Sequence, residues 1–92
     1  MAKKIHTIVH RKLGKERALG LAYTDENRME IDSRLKGYRY LLYMLHEHFH
    51  LKHPDWSETK VRKESSKTAM FLWEAGFRKV DNAPKNATIA SK

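Results

Sequence analysis

Tyr38-Arg39-Tyr40-Leu41-Leu42-Tyr43-Met44-Leu45-His46-Glu47-His48-Phe49-His50-Leu51-Lys52-His53-Pro54 is the densest apolar run in the chain, and it closes on four histidines. It is too long for an ordinary strand and does not alternate. A largely buried helix from Tyr38 to about Lys52 follows. Gly37 breaks the pattern before it. Pro54 ends it, because the residue preceding a proline is pushed out of helical geometry. Inside the run, His46-Glu47-His48-Phe49-His50 has the form H-E-x-x-H. Residues four apart lie one above the other on a helix, so His46 and His50 can reach one metal ion from a rigid backbone. Glu47 is rotated from His46 by about 100°. It lies beside such an ion without ligating it, where a carboxylate can take a proton from water that zinc has acidified.

Upstream of this helix the pattern has a period of two. Ile5 to Leu13 places Ile5, Thr7, Val9 and Leu13 on one parity and His6, Ile8, His10 and Lys12 on the other. Arg17 to Thr24 alternates with Leu19, Leu21 and Tyr23. Arg28 to Leu35 alternates most cleanly, with Met29, Ile31 and Leu35 opposed to Arg28, Glu30, Asp32 and Arg34. Gly14-Lys15-Glu16 and Asp25-Glu26-Asn27 read as turns. Short turns between consecutive strands predict a three-stranded antiparallel meander. His6 and His10 are then expected to face solvent.

Downstream, Asp55-Trp56-Ser57-Glu58 reads as a helix start. Asp55 or Ser57 can cap it, and Glu58 in the first turn suits the helix dipole. Val61, Ser65, Ala69, Leu72 and Trp73 recur at helical spacing, and Gly76 stops the helix. Phe77 to Val80 reads as a short strand or a packed extension. Residues 81–92 are small, polar and unpatterned, a tail. The expectation is one α+β domain over residues 1–80, a three-stranded antiparallel sheet followed by two helices.

A metal site with catalytic chemistry needs a third protein ligand and a position left open. Glu58 is the best placed candidate, because the turn at His53-Pro54-Asp55 brings the second helix back over the histidines. His53, Glu64 and Asp55 are the alternatives. His53 lies roughly 10 Å along the helix axis from His46, too far unless the helix unwinds. Zinc suits this donor set, and other divalent transition metals can take the same ligands.

The stretch from Tyr38 to Val61 resembles the core of small zincin-type metallopeptidases, related in outline to the SprT-like and ImmA/IrrE-like groups, whose compact versions occur in phage and prophage genomes. Glu30-Ile31-Asp32 ahead of the metal helix, and Phe71 to Arg78 after it, suit the same pattern, so the likeness covers roughly residues 28–80. The resemblance implies that His46 and His50 are ligands, Glu47 the general base and Glu58 the third ligand. It implies hydrolysis of a peptide or protein substrate bound as an added strand along a sheet edge, with Arg28 to Leu35 as the expected edge. A donor for the developing oxyanion is also required, and Tyr23, Tyr38, His53 and Arg62 are the candidates. Trp56 stands where the third histidine of a metzincin would fall.

Composition bounds the remaining readings. The chain has 92 residues, with 19 Lys plus Arg against 11 Asp plus Glu, a net charge of +8. Absence of cysteine excludes disulfides, thiolate metal sites and thiol catalysis. No apolar stretch approaches the roughly 18–20 residues that cross a bilayer, and Met1-Ala-Lys-Lys leads into no signal-type h-region. A cytoplasmic protein without membrane contact is expected. Lys3, Lys4, Arg11, Lys12, Lys15 and Arg17 cluster in the first third, and Lys60, Arg62, Lys63 and Lys67 on the second helix. Such charge attracts nucleic acid by electrostatics alone, although no recognition motif accompanies it. Two alternatives to the peptidase therefore stand: a basic nucleic-acid-binding module with a structural histidine cluster, and a zinc-stabilised interaction protein without chemistry. Trp56 and Trp73 are expected to anchor the second helix in the core, and His48 to pack rather than ligate.

Overall fold

Asn27 carries the turn that organises the sheet. Its φ of 50° lies in the left-handed region, which asparagine tolerates better than most residues. The turn is closed by the Glu26 amide donating to the Tyr23 carbonyl at 3.1 Å. On either side of it run β2 (Gly20–Tyr23) and β3 (Arg28–Asp32), an antiparallel hairpin in which Leu21 faces Glu30 and Ala22 faces Met29. These coordinates are a computed structural model that describes residues 5–14 and 18–80.

The first strand corrects the expected meander. β1 (Thr7–Arg11) does not pair with β2. It runs parallel to β3 on the other side, in the order β1-β3-β2, so the sheet is mixed and β3 is its central strand rather than an edge. The physical reason lies in β3 itself. Met29 and Ile31 are buried on one face, and Glu30 and Asp32 on the other. A strand that hides carboxylates needs polar partners for them, and Glu30 draws on both neighbouring strands. Glu30 accepts from Arg11 of β1 (Nε, 3.0 Å) and from the Tyr23 hydroxyl of β2 (3.2 Å), and Arg28 closes the cluster. Asp32 accepts from the Leu13 amide (3.1 Å), the Arg34 amide (2.9 Å) and the Arg34 guanidinium (2.7 Å). The parallel pair needs a long crossover, and the loop after β1, strand β2 and the Asn27 turn together provide it.

The Arg34 guanidinium, with the backbone amides of Arg34 and Leu13, holds the Asp32 carboxyl well below its ordinary value of 3.8. Its contribution to stability is complete above that value and is lost as pH falls through the depressed one. Asp32→Ala should therefore unfold at lower urea than the wild type at pH 7. The difference should shrink steadily below pH 4, which urea melts across pH 3–7 would show.

The opposite sheet face packs on α1 (Gly37–Lys52), and α2 (Glu58–Glu74) packs on α1 in turn. Met29, Ile31, Leu35 and Tyr40 form the buried core, flanked by Leu19, Tyr43, Met44 and Leu51. Gly37 opens α1 with φ +60°. Ser57, of the two candidate caps, accepts from the Lys60 amide at 3.1 Å and opens α2. Val61, Ser65 and Ala69 are the buried positions of α2, at the spacing the sequence predicts. Leu72-Trp73 and the φ +97° of Gly76 close it, with the Gly76 and Phe77 amides donating back to Trp73 and Leu72. Trp56 and Trp73 are only half-buried. Phe77 to Val80 forms no strand, and Phe77 and Val80 are exposed. The expected tail, residues 81–92, lies outside the described residues, as do Lys3, Lys4, Lys15 and Arg17. No helix among the described residues is long and apolar enough to cross a membrane.

His6 departs from expectation in being half-buried, whereas His10 is exposed as expected, although both lie on the sheet face that carries the helices. The parallel register sets Ile8 beside Met29 and His10 beside Ile31, so His6, Ile8 and His10 face the helix layer. His10 Nε2 meets the Tyr40 hydroxyl at 2.6 Å, and His6 Nε2 meets His48 Nδ1 at 2.8 Å. The Asn27 amide nitrogen bonds the Ile5 carbonyl, which turns Asn27 Oδ1 toward His6 Nδ1 at 2.8 Å. His48 is thus packed against His6, just ahead of β1.

Candidate metal centre

The two histidines of the H-E-x-x-H run sit on successive turns of α1 with their rings 4.8 Å apart, and their Nε2 atoms converge to 3.2 Å. The turn after Pro54, closed by the Trp56 amide on the His53 carbonyl, reverses the chain. Ser57 then starts α2 with Glu58 facing back. Glu58 Oε2 lies 3.0 Å from His46 Nε2, and Oε1 lies 2.9 Å from His50 Nε2. His46, His50 and Glu58 form a group that can hold a metal ion.

The donor set passes a geometric test. Zinc bonds of about 2.0–2.1 Å in tetrahedral array put neighbouring ligand atoms about 3.3 Å apart. The two nitrogens lie 3.2 Å apart and each has one of the two Glu58 oxygens at 2.9–3.0 Å, so the three side chains are close enough to share an ion. Burial lowers the His46 pKa, against the opposing pull of the Glu58 carboxylate, which favours the neutral ring that ligation requires. The alternative third ligands are engaged elsewhere. His53 stacks on Trp56 at 3.9 Å with the planes 7° apart, and Glu64 lies 3.9 Å from Lys67. Asp55 is not among the converging residues.

Glu47 sits one residue round the helix, buried against the sheet. Among the described residues no hydrogen bond or ion pair reaches its carboxylate. Burial first, and then the nearby Glu58 charge, push its pKa up to about 7. It is not sealed off, since no unpartnered side-chain oxygen among the described residues is fully enclosed. Its floor is Gly20 of β2. A Cβ there would fall 2.8 Å from Glu47 Oε2 and 2.9 Å from Cγ. Sequence reading missed this residue, because no spacing rule links position 20 to position 47. The available signal was a glycine inside an alternating strand, which marks a close approach. Gly20→Ala must displace the carboxylate. We expect about 1–3 kcal/mol lower stability, metal affinity within threefold of wild type, and at least tenfold slower hydrolysis if the site is catalytic. Calorimetric zinc titration beside a urea melt checks the first two.

No family model matches the chain, and the searches of curated proteins and of solved structures found no match to it. Of the four oxyanion-donor candidates, Tyr23 is bonded to Glu30 on the far side of the sheet, Tyr38 packs edge-on against Trp73, and His53 is stacked on Trp56. Arg62 alone touches the ligand group, with Nη2 3.5 Å from Glu58 Oε2. The other cations of α2, Lys60, Lys63 and Lys67, are exposed.

Proposed function

We propose that this protein is a small zinc-dependent peptide hydrolase of zincin-like type. The observation that carries the reading is the convergence of His46 Nε2, His50 Nε2 and the Glu58 carboxylate, with the buried, unpartnered carboxyl of Glu47 on the neighbouring position of the same helix. A structural site fills its coordination with protein donors, whereas three donors leave a fourth position for substrate or water. When bound, zinc supplies Lewis acidity that polarises a carbonyl and acidifies water.

The protein's own residues supply the rest. A carboxyl near pKa 7 is suited to accept a proton from water and return it to a leaving amine at neutral pH. Gly20 keeps the floor beneath Glu47 clear. The substrate strand is assigned to β2, not to the central β3, because β2 is a sheet edge among the described residues and the strand in contact with Glu47. An extended peptide added along that edge would carry its backbone past the Glu47 carboxylate.

Metal removal tests the reading. The untagged protein should cleave an unstructured protein such as casein when loaded with one zinc per chain. Chelation should abolish cleavage, and added zinc should restore it. Stoichiometric zinc binding without any cleavage of a broad peptide library would instead favour a non-catalytic role for the metal.

A further inference from the structure

Arg62 stands one helical turn beyond Glu58, on the same face of α2. Its guanidinium presents five N–H donors in a planar fork. One of its nitrogens lies 3.5 Å from Glu58 Oε2, and among the described residues that carboxylate is its one ion-pair partner. The side chain is 64% exposed, so most of the fork is unspent. An exposed pair of this geometry adds little to stability. Its position is more informative. Glu58 Oε2 is also the oxygen 3.0 Å from His46 Nε2, so a cation with donors to spare borders the ligand group. The other three side chains able to serve there are committed elsewhere.

We propose that Arg62 binds the oxyanion that occupies the coordination position His46, His50 and Glu58 leave open, whether a standing carboxylate or the anion that develops during peptide hydrolysis. This inference rests on the metal site of the proposed function, and adds to it a preference for anionic ligands. A charge-assisted bond from guanidinium to such an oxygen is stronger than a neutral one and favours the charged ligand over a neutral one.

The test uses the full chain loaded with cobalt(II), whose visible absorption reports each ligand that enters the coordination sphere. Acetate is titrated as the anionic probe and imidazole as the neutral one. Arg62→Ala should weaken acetate about five- to tenfold and leave imidazole within twofold, with Arg62→Lys between. Equal losses for both probes would show that Arg62 only holds Glu58 in place, and unchanged acetate affinity would show that it does nothing at the site. Either outcome overturns the inference while leaving the metal site intact. Failure of the wild-type protein to develop a cobalt spectrum would overturn both. On the hydrolysis side, Arg62→Ala should lower kcat for a neutral internal amide if the developing anion is the ligand. If a standing carboxylate is the ligand, it should raise KM only for substrates that carry one near the cleaved bond.

Discussion

Glu47→Gln should lower peptide hydrolysis by about 10²–10⁴-fold in protein that still binds one zinc. The amide keeps the shape of the side chain above Gly20 and removes its capacity to accept a proton. Metal affinity should change little, because Glu47 is not among the converging donors. The same substitution has a second, opposite signature in the metal-free protein. The folded-state pKa of about 7 exceeds the ordinary 4.5, so between those values the folded chain binds more protons than the unfolded one. Wild-type stability contributed by this group is therefore full below about pH 4.5 and falls as pH rises through 7. Glutamine carries no charge and escapes that loss. Metal-free Glu47→Gln should melt above the wild type at pH 8 and level with it at pH 4. A variant less stable at pH 8 would mean that the carboxylate is held by partners, and the general-base assignment would fail with it.

His46→Ala should weaken zinc binding at least a hundredfold, as judged by competition against a chromophoric chelator. A ligand of the folded state alone stabilises by RT ln(1 + [L]/Kd), about 2.7 kcal/mol when free metal is a hundred times Kd. In a domain of this size that is a rise of roughly 10–20 °C in melting temperature. The variant should show no such rise, because the remaining pair, His50 and Glu58, cannot enclose an ion. Glu58→Ala should behave likewise. His53→Ala and Glu64→Ala should bind zinc as the wild type does, since neither side chain turns toward the site. Retention of tight binding in His46→Ala would place the metal elsewhere.

The group that could hold a metal was legible in the chain because it obeys local rules. Four-residue spacing on a helix brings His46 and His50 together, and a proline followed by a capped helix start returns Glu58 to them. The helix faces of α2 were legible for the same reason. Sheet order was not. Alternation says which residues share a face but not which strand lies between the other two, and the short turns suggested sequential neighbours. Glu30 and Asp32 held the decisive clue, two acids in a strand whose other face is apolar. Asp32 finds its arginine two residues on, but Glu30 takes Arg11 from a flanking strand, which is a tertiary fact. The Gly20–Glu47 contact and the His6–His48 pair were hidden for the same reason, since each joins a strand to a helix across a long stretch of chain.

All three proposed ligands come from one helical hairpin, α1 and α2 with their turn, whereas the floor under Glu47 comes from the sheet. Cation capture would thus depend on the helical hairpin alone, whereas the position of Glu47, itself on α1, would depend on the sheet as well. Loosening β2 would leave an ion-loaded but chemically silent protein, and amide exchange along Gly20–Tyr23 would track loss of turnover while cobalt colour persisted.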